Sequence, residues 1–209
     1  MKLVKLLLLC SLSISLYSQT PSSSVDLSSK TLDSLRTHLE SILTKDQVFR
    51  SIYKEAENKL GKDSAAMEYF WEVVEQQDKL LEQEVTAILD QYGWLGISQV
   101  GRRANTTLWA VLQHGSVASK EKYAPLLKAS VLKKESRPAH YARLIDRMLI
   151  NSKRPQEYGT QYEYDKEGNA IFFPIHAPEY IDRRRKELGL SGIQEFAEQL
   201  GITWAIPQK

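Results

Sequence analysis

From about residue 28 onward, apolar side chains recur every three or four residues, the spacing that places them along one face of an α-helix. Two long segments of this kind come first, one from about residue 28 to Gly61 and one from about Ser64 to Gln91. Glycines follow both segments, as is common where helices end. Because so few residues separate the two segments, the sequence predicts two long helices packed as an antiparallel pair.

The pattern after Gly93 is more varied. Three further helical segments precede a stretch that is rich in aromatic and β-favouring residues, which predicts a β-hairpin, and broken helical segments follow. The predicted helices lie at about 102–114, 119–133 and 138–150, the hairpin strands within 158–164 and 170–175, and the last helices at about 178–189 and 191–200. We therefore predict a mainly α fold over residues 28–209, a single helical domain of about six helices with one C-terminal β-hairpin.

The N-terminal segment has the features of an export signal. Two lysines precede a short apolar run at 6–14, and Ser18 is a small residue that suits cleavage after it. The run is shorter than the roughly 20 apolar residues that a membrane anchor needs. We predict a signal peptide over 1–18, no stable membrane span after its cleavage, and a disordered tether over 19–27. The mature protein is expected to be exported, and to be periplasmic or secreted.

The charge and the cysteine content of the chain argue against several classes of function. The chain has 28 Lys and Arg and 26 Asp and Glu, so loss of the two signal-peptide lysines leaves a neutral mature protein. Its one cysteine, Cys10, also leaves, which excludes thiol catalysis. Leu9 before Cys10 is too large for a typical lipoprotein cleavage site, which disfavours a lipid anchor. Residues 19–92 are acidic and 93–209 are basic, but no aromatic-interleaved basic tract is present, and we expect no nucleic-acid partner.

Some charged residues stand where the helical pattern calls for apolar ones. Asp46 falls on the apolar stripe of the first predicted helix with Arg50 one turn later, and Asp78 falls within the apolar arc of the second. A buried charge needs a partner, since removing one member of a buried pair costs about 3–5 kcal/mol. The pattern therefore predicts an internal polar cluster. Residues beside the stripes of the third and fifth helices are candidates to complete it: Gln113, His114, Asp146 and Arg147.

Each of these residues also has a plainer interpretation. Asp78 would be solvated if the second helix extended past the core, and Asp46 with Arg50 would be a surface pair that stabilises its own helix. His114 on a helix flank would be an ordinary hydrogen-bonded histidine. These alternatives predict scattered charges, whereas a polar cluster predicts that the side chains meet.

A second group of polar residues surrounds Gly159. Gln156, Tyr158, Thr160 and Gln161 carry amides and hydroxyls that can hold a ligand by directional hydrogen bonds, and a glycine allows close approach of the backbone. The alternative interpretation is a loop that its own side chains fasten to the body of the protein.

Several short motifs follow one another along the chain. They are Asp46-Gln47-x-x-Arg50, Asp78, Tyr92-Gly93-Trp94-Leu95, Val100-Gly101, Gln113-His114, Asp146-Arg147, Gln156-x-Tyr158-Gly159-Thr160-Gln161 and Asp182-x-Arg184-Arg185-x-x-x-Gly189-Leu190. Together they resemble a bacterial family with a domain of unknown function, the one numbered 6624, over about residues 40–200. The resemblance implies no activity and no catalytic residues. Leu81 and Ala177 depart from the family pattern, in which Asn and Asp respectively are expected. A metal site or proton relay that used the side-chain oxygens of that Asn and Asp would therefore be impaired in this chain.

The first functional hypothesis is a hydrolase of a polar substrate. His114 would act as general base or acid, Asp78 or Asp146 would orient its ring, and Arg147 or Arg50 would stabilise developing negative charge. Water would be the nucleophile, because the mature chain has no Cys and no nucleophile-elbow serine. No metal site is predicted, since no short ligand spacing such as His-Glu-x-x-His is present, and the cofactor is unknown.

Two alternatives remain open. One is a non-catalytic module that binds a small polar ligand or a protein partner that the sequence does not identify, and the other is a structural domain whose polar network fixes helix register. The candidate ligand-binding residues are the polar ones outside the catalytic set: Asp46, Arg50, Gln113, Gln156, Tyr158, Thr160, Gln161 and Arg184.

Overall fold

A computed structural model describes residues 27–206, so the predicted signal peptide and nearly all of the predicted tether lie outside the described residues. The described chain is a mainly α single domain with a hairpin near its C-terminal end, as predicted. Gly189 ends one helix in a left-handed conformation (φ 82°), so the last two helices are separate, as predicted, and the described residues contain seven α-helices. In order, the elements are α1 Ser29–Leu60, α2 Ala65–Tyr92, α3 Ile97–His114, α4 Val117–Leu132, α5 Pro138–Asn151, β1 Tyr162–Tyr164, β2 Ala170–Phe172, a 3-10 turn Pro178–Tyr180, α6 Ile181–Leu188 and α7 Ile193–Leu200.

Serine side chains set the start of three helices. The hydroxyl oxygens of Ser28, Ser64 and Ser116 each accept a hydrogen bond from the backbone N–H three residues later, at 3.1–3.2 Å. Each bond satisfies one of the N–H groups that the first turn of a helix leaves without an intrahelical partner. The starts of α1, α2 and α4 therefore lie within a few residues of the predicted positions.

The start of α3 differs from the prediction. The helix begins at Ile97 instead of about residue 102, because the N–H of Gly96 donates to Gln99 Oε1 at 2.8 Å and closes a first turn there. Gly101 then departs from helical geometry with a φ of 80°. Residues 97–101, which precede the predicted helix, are thus a short helical turn followed by a kink, in a backbone conformation that only glycine adopts readily.

The two long helices form the predicted antiparallel pair. Phe49 of α1 packs against Phe70 of α2 with ring centroids 5.7 Å apart, and His38 Nε2, earlier in α1, meets Glu84 Oε2, later in α2, at 3.2 Å. Asp46 is the last residue of α1 that is buried, so the second half of this helix lies outside the main core.

The core forms where α3 packs against α1 and α2, and where α5 packs against α4 and α3. Its fully buried members are mainly leucines and other aliphatic residues: Leu39, Ile42, Leu81, Val85, Leu95, Val100, Leu108, Leu112, Leu127 and Leu144. Within residues 27–206, no helix combines the length and the apolar character that crossing a membrane requires.

The hairpin lies beside this helical body. Strands β1 and β2 pair Tyr162 with Phe172 and Tyr164 with Ala170. The carboxylate of Asp165 accepts hydrogen bonds from two backbone N–H groups of the turn, at 3.0 and 2.7 Å, which fixes the connection between the strands. The loop that precedes β1 carries four of the predicted site residues: Gln156, Tyr158, Thr160 and Gln161.

Candidate functional site

Asp46 and His114 face each other between α1 and α3. The Asp46 side chain is 1% exposed, and its Oδ1 lies 2.9 Å from His114 Nδ1. His114 is the last residue of α3, and its side chain is 27% exposed. Since Nδ1 is engaged by the carboxylate, Nε2 is the ring nitrogen that remains for proton exchange. The carboxylate fixes both the orientation and the tautomer of the imidazole.

Arg50 connects this pair to α2. Its Nη1 donates to the Asp46 backbone carbonyl at 2.8 Å and lies 3.6 Å from Asp46 Oδ1, while its Nη2 donates to Asp78 Oδ2 at 2.6 Å. Gln47 Nε2 donates to the other Asp46 oxygen at 2.6 Å. The charged side chains therefore meet, as the polar-cluster interpretation predicts, and Asp78 is paired instead of simply solvated.

The charges of this cluster act on the Asp46 carboxyl group. Burial alone would raise the pKa of Asp46, but the hydrogen bond and charge of His114 and the charge of Arg50 outweigh it and hold this pKa below its ordinary value. With His114 neutral, two carboxylates and one guanidinium give a net charge of −1, which protonation of His114 brings to zero. The two carboxylates can therefore offset a positive charge that forms on the imidazole during proton transfer.

The same residues include a set of metal-type ligands. One ligand atom from each of Asp46, Asp78 and His114 lies within 4.8 Å of the other two. However, the guanidinium of Arg50 already bonds Asp78 at 2.6 Å and approaches Asp46, so a metal ion would have to displace it. Arg50 is therefore the cation that this geometry provides.

Asp146 has a different role from the catalytic one that was predicted. It is 0% exposed on α5, and its Oδ1 accepts from the N–H groups of Glu157 and Tyr158 at 2.8 and 2.9 Å. Its Oδ2 accepts from the N–H and the hydroxyl of Thr160 at 2.9 and 2.8 Å. These four bonds use the lone-pair directions of a carboxylate. Asp146 therefore anchors the loop before β1 and does not orient the His114 ring.

The buried side chain of Gln156 holds the same loop from inside, through the backbone of Gln161 and Phe173. Gln156 Nε2 donates to the carbonyls of Gln161 and Phe173, both at 2.9 Å, and Gln156 Oε1 accepts from the Gln161 N–H at 2.9 Å. Gly159 between them has a φ of 67°, and a Cβ there would lie 2.8 Å from Ile193 Cδ1. This part of the loop is fastened as the structural alternative predicts, and its Gln156 amide is not free for a ligand.

Tyr158 and Arg184, both predicted as ligand-binding, also hold this loop. Arg184 Nε donates to the Glu157 carbonyl at 2.8 Å and pairs with the Glu157 carboxylate at 3.2 Å. The neighbouring Arg185 donates to the Tyr158 carbonyl at 2.6 Å. Burial raises the pKa of Tyr158 to about 12, and its ring packs edge-on against Tyr141. The phenol therefore stays protonated at neutral pH.

A cavity of about 440 Å³ lies between α3, α5, β1 and α7. Four predicted residues line it: Gln113, Arg147, Thr160 and Gln161. The others in its wall were not predicted: Trp109, Arg143, Tyr162, Phe196 and Leu200. The residues of the Asp46–His114 pair are not part of this wall, although His114 follows Gln113 in the chain.

The predicted site residues thus fall into three places. Asp46, Arg50, Asp78 and His114 form one cluster, four others line the cavity, and the remainder fasten the loop before β1. Trp109 and Arg143 were missed, yet each lies four residues before a predicted cavity residue on the same helix. Helical i,i+4 spacing is the signal that could have found them.

The fold and its polar sites define a small mainly α domain with a buried carboxylate–histidine–arginine cluster beside a separate cavity. A family model matches residues 34–207, and the chain belongs to that family, the family of unknown function DUF6624. This confirms the resemblance drawn from the motifs. Comparison with curated proteins and with solved structures finds no match. No activity is assigned to this family.

Proposed function

We propose that the protein is an exported hydrolase in which Asp46 and His114 activate water against a polar substrate. One observation carries the proposal: the buried Asp46 carboxylate lies 2.9 Å from Nδ1 of an imidazole whose side chain is still 27% exposed. The carboxylate keeps the proton on Nδ1, so the lone pair of Nε2 is free to accept another. Partial exposure allows that nitrogen to meet water and substrate.

The reaction balances with water as the only co-reactant. His114 Nε2 takes a proton from a water molecule while the water oxygen bonds to the electrophilic carbon or phosphorus of the substrate. Asp46 compensates the imidazolium that results. His114 then returns the proton to the leaving group as its bond to the substrate breaks, which restores the neutral imidazole.

Arg50 and Asp78 act through Asp46 in this scheme. Arg50 bonds the Asp46 backbone and Asp78 at once, so it holds the carboxylate of α1 against α2. Both are positioning residues. The charge-stabilising role that was predicted for Arg147 has no support in this cluster, because Arg147 lies in the wall of the cavity.

The test is turnover by the mature protein of a panel of p-nitrophenyl esters, phosphates and glycosides. We expect release of p-nitrophenol from one class. His114→Gln should lower kcat/KM by about 100-fold or more, because general acid–base catalysis contributes on that scale. Asp46→Asn should also lower it, since an amide no longer favours the required tautomer.

A matched control exists on the same pair of helices. His38 Nε2 meets Glu84 Oε2 at 3.2 Å in an exposed histidine–carboxylate pair, so His38→Gln removes a similar contact outside the cluster and should leave turnover unchanged. The proposal fails if the wild-type protein turns over none of the three classes, or if His114→Gln retains wild-type turnover.

Export is the second part of the proposal and has its own test. The lysines, the short apolar run and Ser18 at the N-terminus support it. After expression of the full chain in a bacterial host with a periplasm, mass spectrometry should find the protein outside the cytoplasm with Gln19 as its first residue. An uncleaved chain in the cytoplasmic fraction would contradict it.

A non-catalytic binding module is the second candidate. The cavity favours it, because four of the predicted polar residues line a concave space that does not include His114. Binding in the cavity by a protein without turnover in the panel would select this candidate over the hydrolase.

A further inference from the structure

We propose that the cavity between α3, α5, β1 and α7 binds a small organic anion, an oxyanion such as phosphate or carboxylate carried on a flat ring. Arg143 and Arg147 would hold the charged group. This inference does not rest on the proposed hydrolase, because it uses none of the residues of the Asp46–His114 cluster.

The charge of the cavity wall is the first argument. Arg143 and Arg147 lie one turn apart on α5, so both guanidinium groups come from the same side of the cavity. Neither forms an ion pair or donates a hydrogen bond to another described residue, and the wall contains no Asp or Glu. Two guanidinium groups without a counter-ion favour an oxyanion, which they can bind in bidentate geometry.

The nearest carboxylate in sequence does not neutralise them. Asp146 is next to Arg147 in the chain, but its carboxylate points toward the loop before β1 and accepts four hydrogen bonds there. Glu157 in that loop pairs with Arg184. The positive charge therefore remains for a ligand to balance.

Unpaired polar atoms are the second argument. Trp109 and Gln113, both in the cavity wall, each carry a buried atom without a hydrogen-bond partner, the indole Nε1 and the amide Oε1. A buried polar group without a partner costs about 1–3 kcal/mol. The oxygen of an anionic ligand is an acceptor, so it could relieve the cost at the indole N–H.

The rings of the wall argue for a flat ligand body. Trp109 stacks on His140 with centroids 4.2 Å apart and planes at 3°, and Phe196 stacks on Phe172 at 6.2 Å. These contacts hold the rings of Trp109 and Phe196 in place, so the two side chains would lose little conformational entropy when they stack on a ligand ring. A volume of about 440 Å³ accommodates one ring with its charged group.

The experiment follows the indole N–H signal of Trp109 by NMR while phenyl phosphate or benzoate is added to the mature protein. Trp109→Phe assigns the signal by removing it. We expect a saturable shift with at least one of the two anions, and the tighter of them identifies the oxyanion. Inorganic phosphate, which lacks the ring, and benzyl alcohol, which lacks the charge, should each bind at least tenfold more weakly. The proposal would be overturned if inorganic phosphate or benzyl alcohol bound as tightly as the aromatic anion.

Two pairs of variants separate the cavity from general charge effects. Arg143→Gln combined with Arg147→Gln should weaken binding at least tenfold. Arg102→Gln combined with Arg103→Gln makes the same charge change at exposed positions of α3 outside the wall and should leave affinity unchanged. If the first pair binds as the wild type does, the proposal is wrong.

The same titration distinguishes this inference from the hydrolase. His114→Gln and Asp46→Asn should bind the anion with wild-type affinity, so a protein without hydrolase turnover that still binds would disprove only the hydrolase. Loss of binding in either variant would show that the cavity depends on the cluster and would overturn the inference.

Discussion

Asp46 and Asp146 are both buried aspartates on helices, but their partners differ in kind. Asp146 accepts only from neutral donors, three backbone N–H groups and one hydroxyl, and burial raises its pKa above the ordinary value. Burial acts on Asp46 in the same direction, yet His114 and Arg50 reverse the outcome and lower its pKa. Neutral fixed donors make a structural anchor, whereas ionisable partners make a group that can support proton transfer.

The largest effect on stability should come from Asp146→Asn. The amide places N–H groups where the carboxylate accepted hydrogen bonds, so at least two donors of the loop are left without an acceptor, at a cost of about 3 kcal/mol. Urea unfolding at pH 7 measures this. Thr160→Val, which removes one of the four bonds, should cost about 1 kcal/mol. If Asp146→Asn lowers the free energy of unfolding by less than about 1 kcal/mol, the Asp146 carboxylate is not what holds the loop.

His140 tests what burial does without an ionic partner. Burial, with the charges of Arg137 and Arg143, lowers its pKa from 6.5 to about 3. Between pH 6.5 and 3 the unfolded chain binds a proton at His140 that the folded chain does not bind. The free energy of unfolding is therefore highest above pH 6.5 and falls as the pH decreases toward 3. The loss at pH 5 should be about 2 kcal/mol.

His140→Phe keeps a ring against Trp109 and removes this titration. Its unfolding free energy should change less than that of the wild type between pH 6.5 and 5, as measured by urea unfolding at each pH. An identical decline in the two proteins would show that His140 is not the source.

Asp46→Asn should cost about 1–2 kcal/mol at pH 7, less than Asp146→Asn, because Arg50 keeps Asp78 as a partner. A lowered pKa contributes stability that is present above the unfolded value, near 3.8, and is lost as the pH falls through the folded value. The difference between wild type and variant should therefore shrink between pH 5 and 3. A difference that stays constant would contradict the lowered pKa.

The smallest effect should come from His114→Ala. Its side chain is partly exposed, so water can replace its bond to Asp46, and we expect a cost below about 1 kcal/mol, or a fall in Tm of under about 4 °C. Thermal unfolding measures this directly. A fall of 10 °C or more would instead favour the structural alternative, in which the cluster exists to hold helix register.

Helical periodicity predicted both the fold class and the meeting of Asp46, Arg50 and Asp78. The prediction succeeded because these residues lie within apolar stripes of two long helices, where a stripe specifies which side chains face the partner helix. The start of α3 could not be predicted in the same way. It depends on a hydrogen bond from Gly96 to Gln99 and on the kink at Gly101, and neither changes the apolar pattern.

The role of Asp146 was beyond the sequence for a related reason. Its partners are mostly backbone N–H groups, which every residue except proline carries, so no residue type marks them. The cavity wall combines side chains from four elements, α3, α5, β1 and α7, that are distant along the chain. Their meeting depends on where the hairpin packs, which residue spacing does not encode.

The contacts of Arg184 and Arg185 imply an order of assembly during synthesis. Both donate to carbonyls 27 residues earlier, those of Glu157 and Tyr158. A nascent chain can therefore form α1 to α5 and the bonds of Asp146 to the loop before β1 first, and it adds the two arginine bonds only when α6 has emerged. The wall of the cavity is completed last, because Phe196 and Leu200 belong to α7, and a polypeptide terminated before residue 181 would lack that side of the wall.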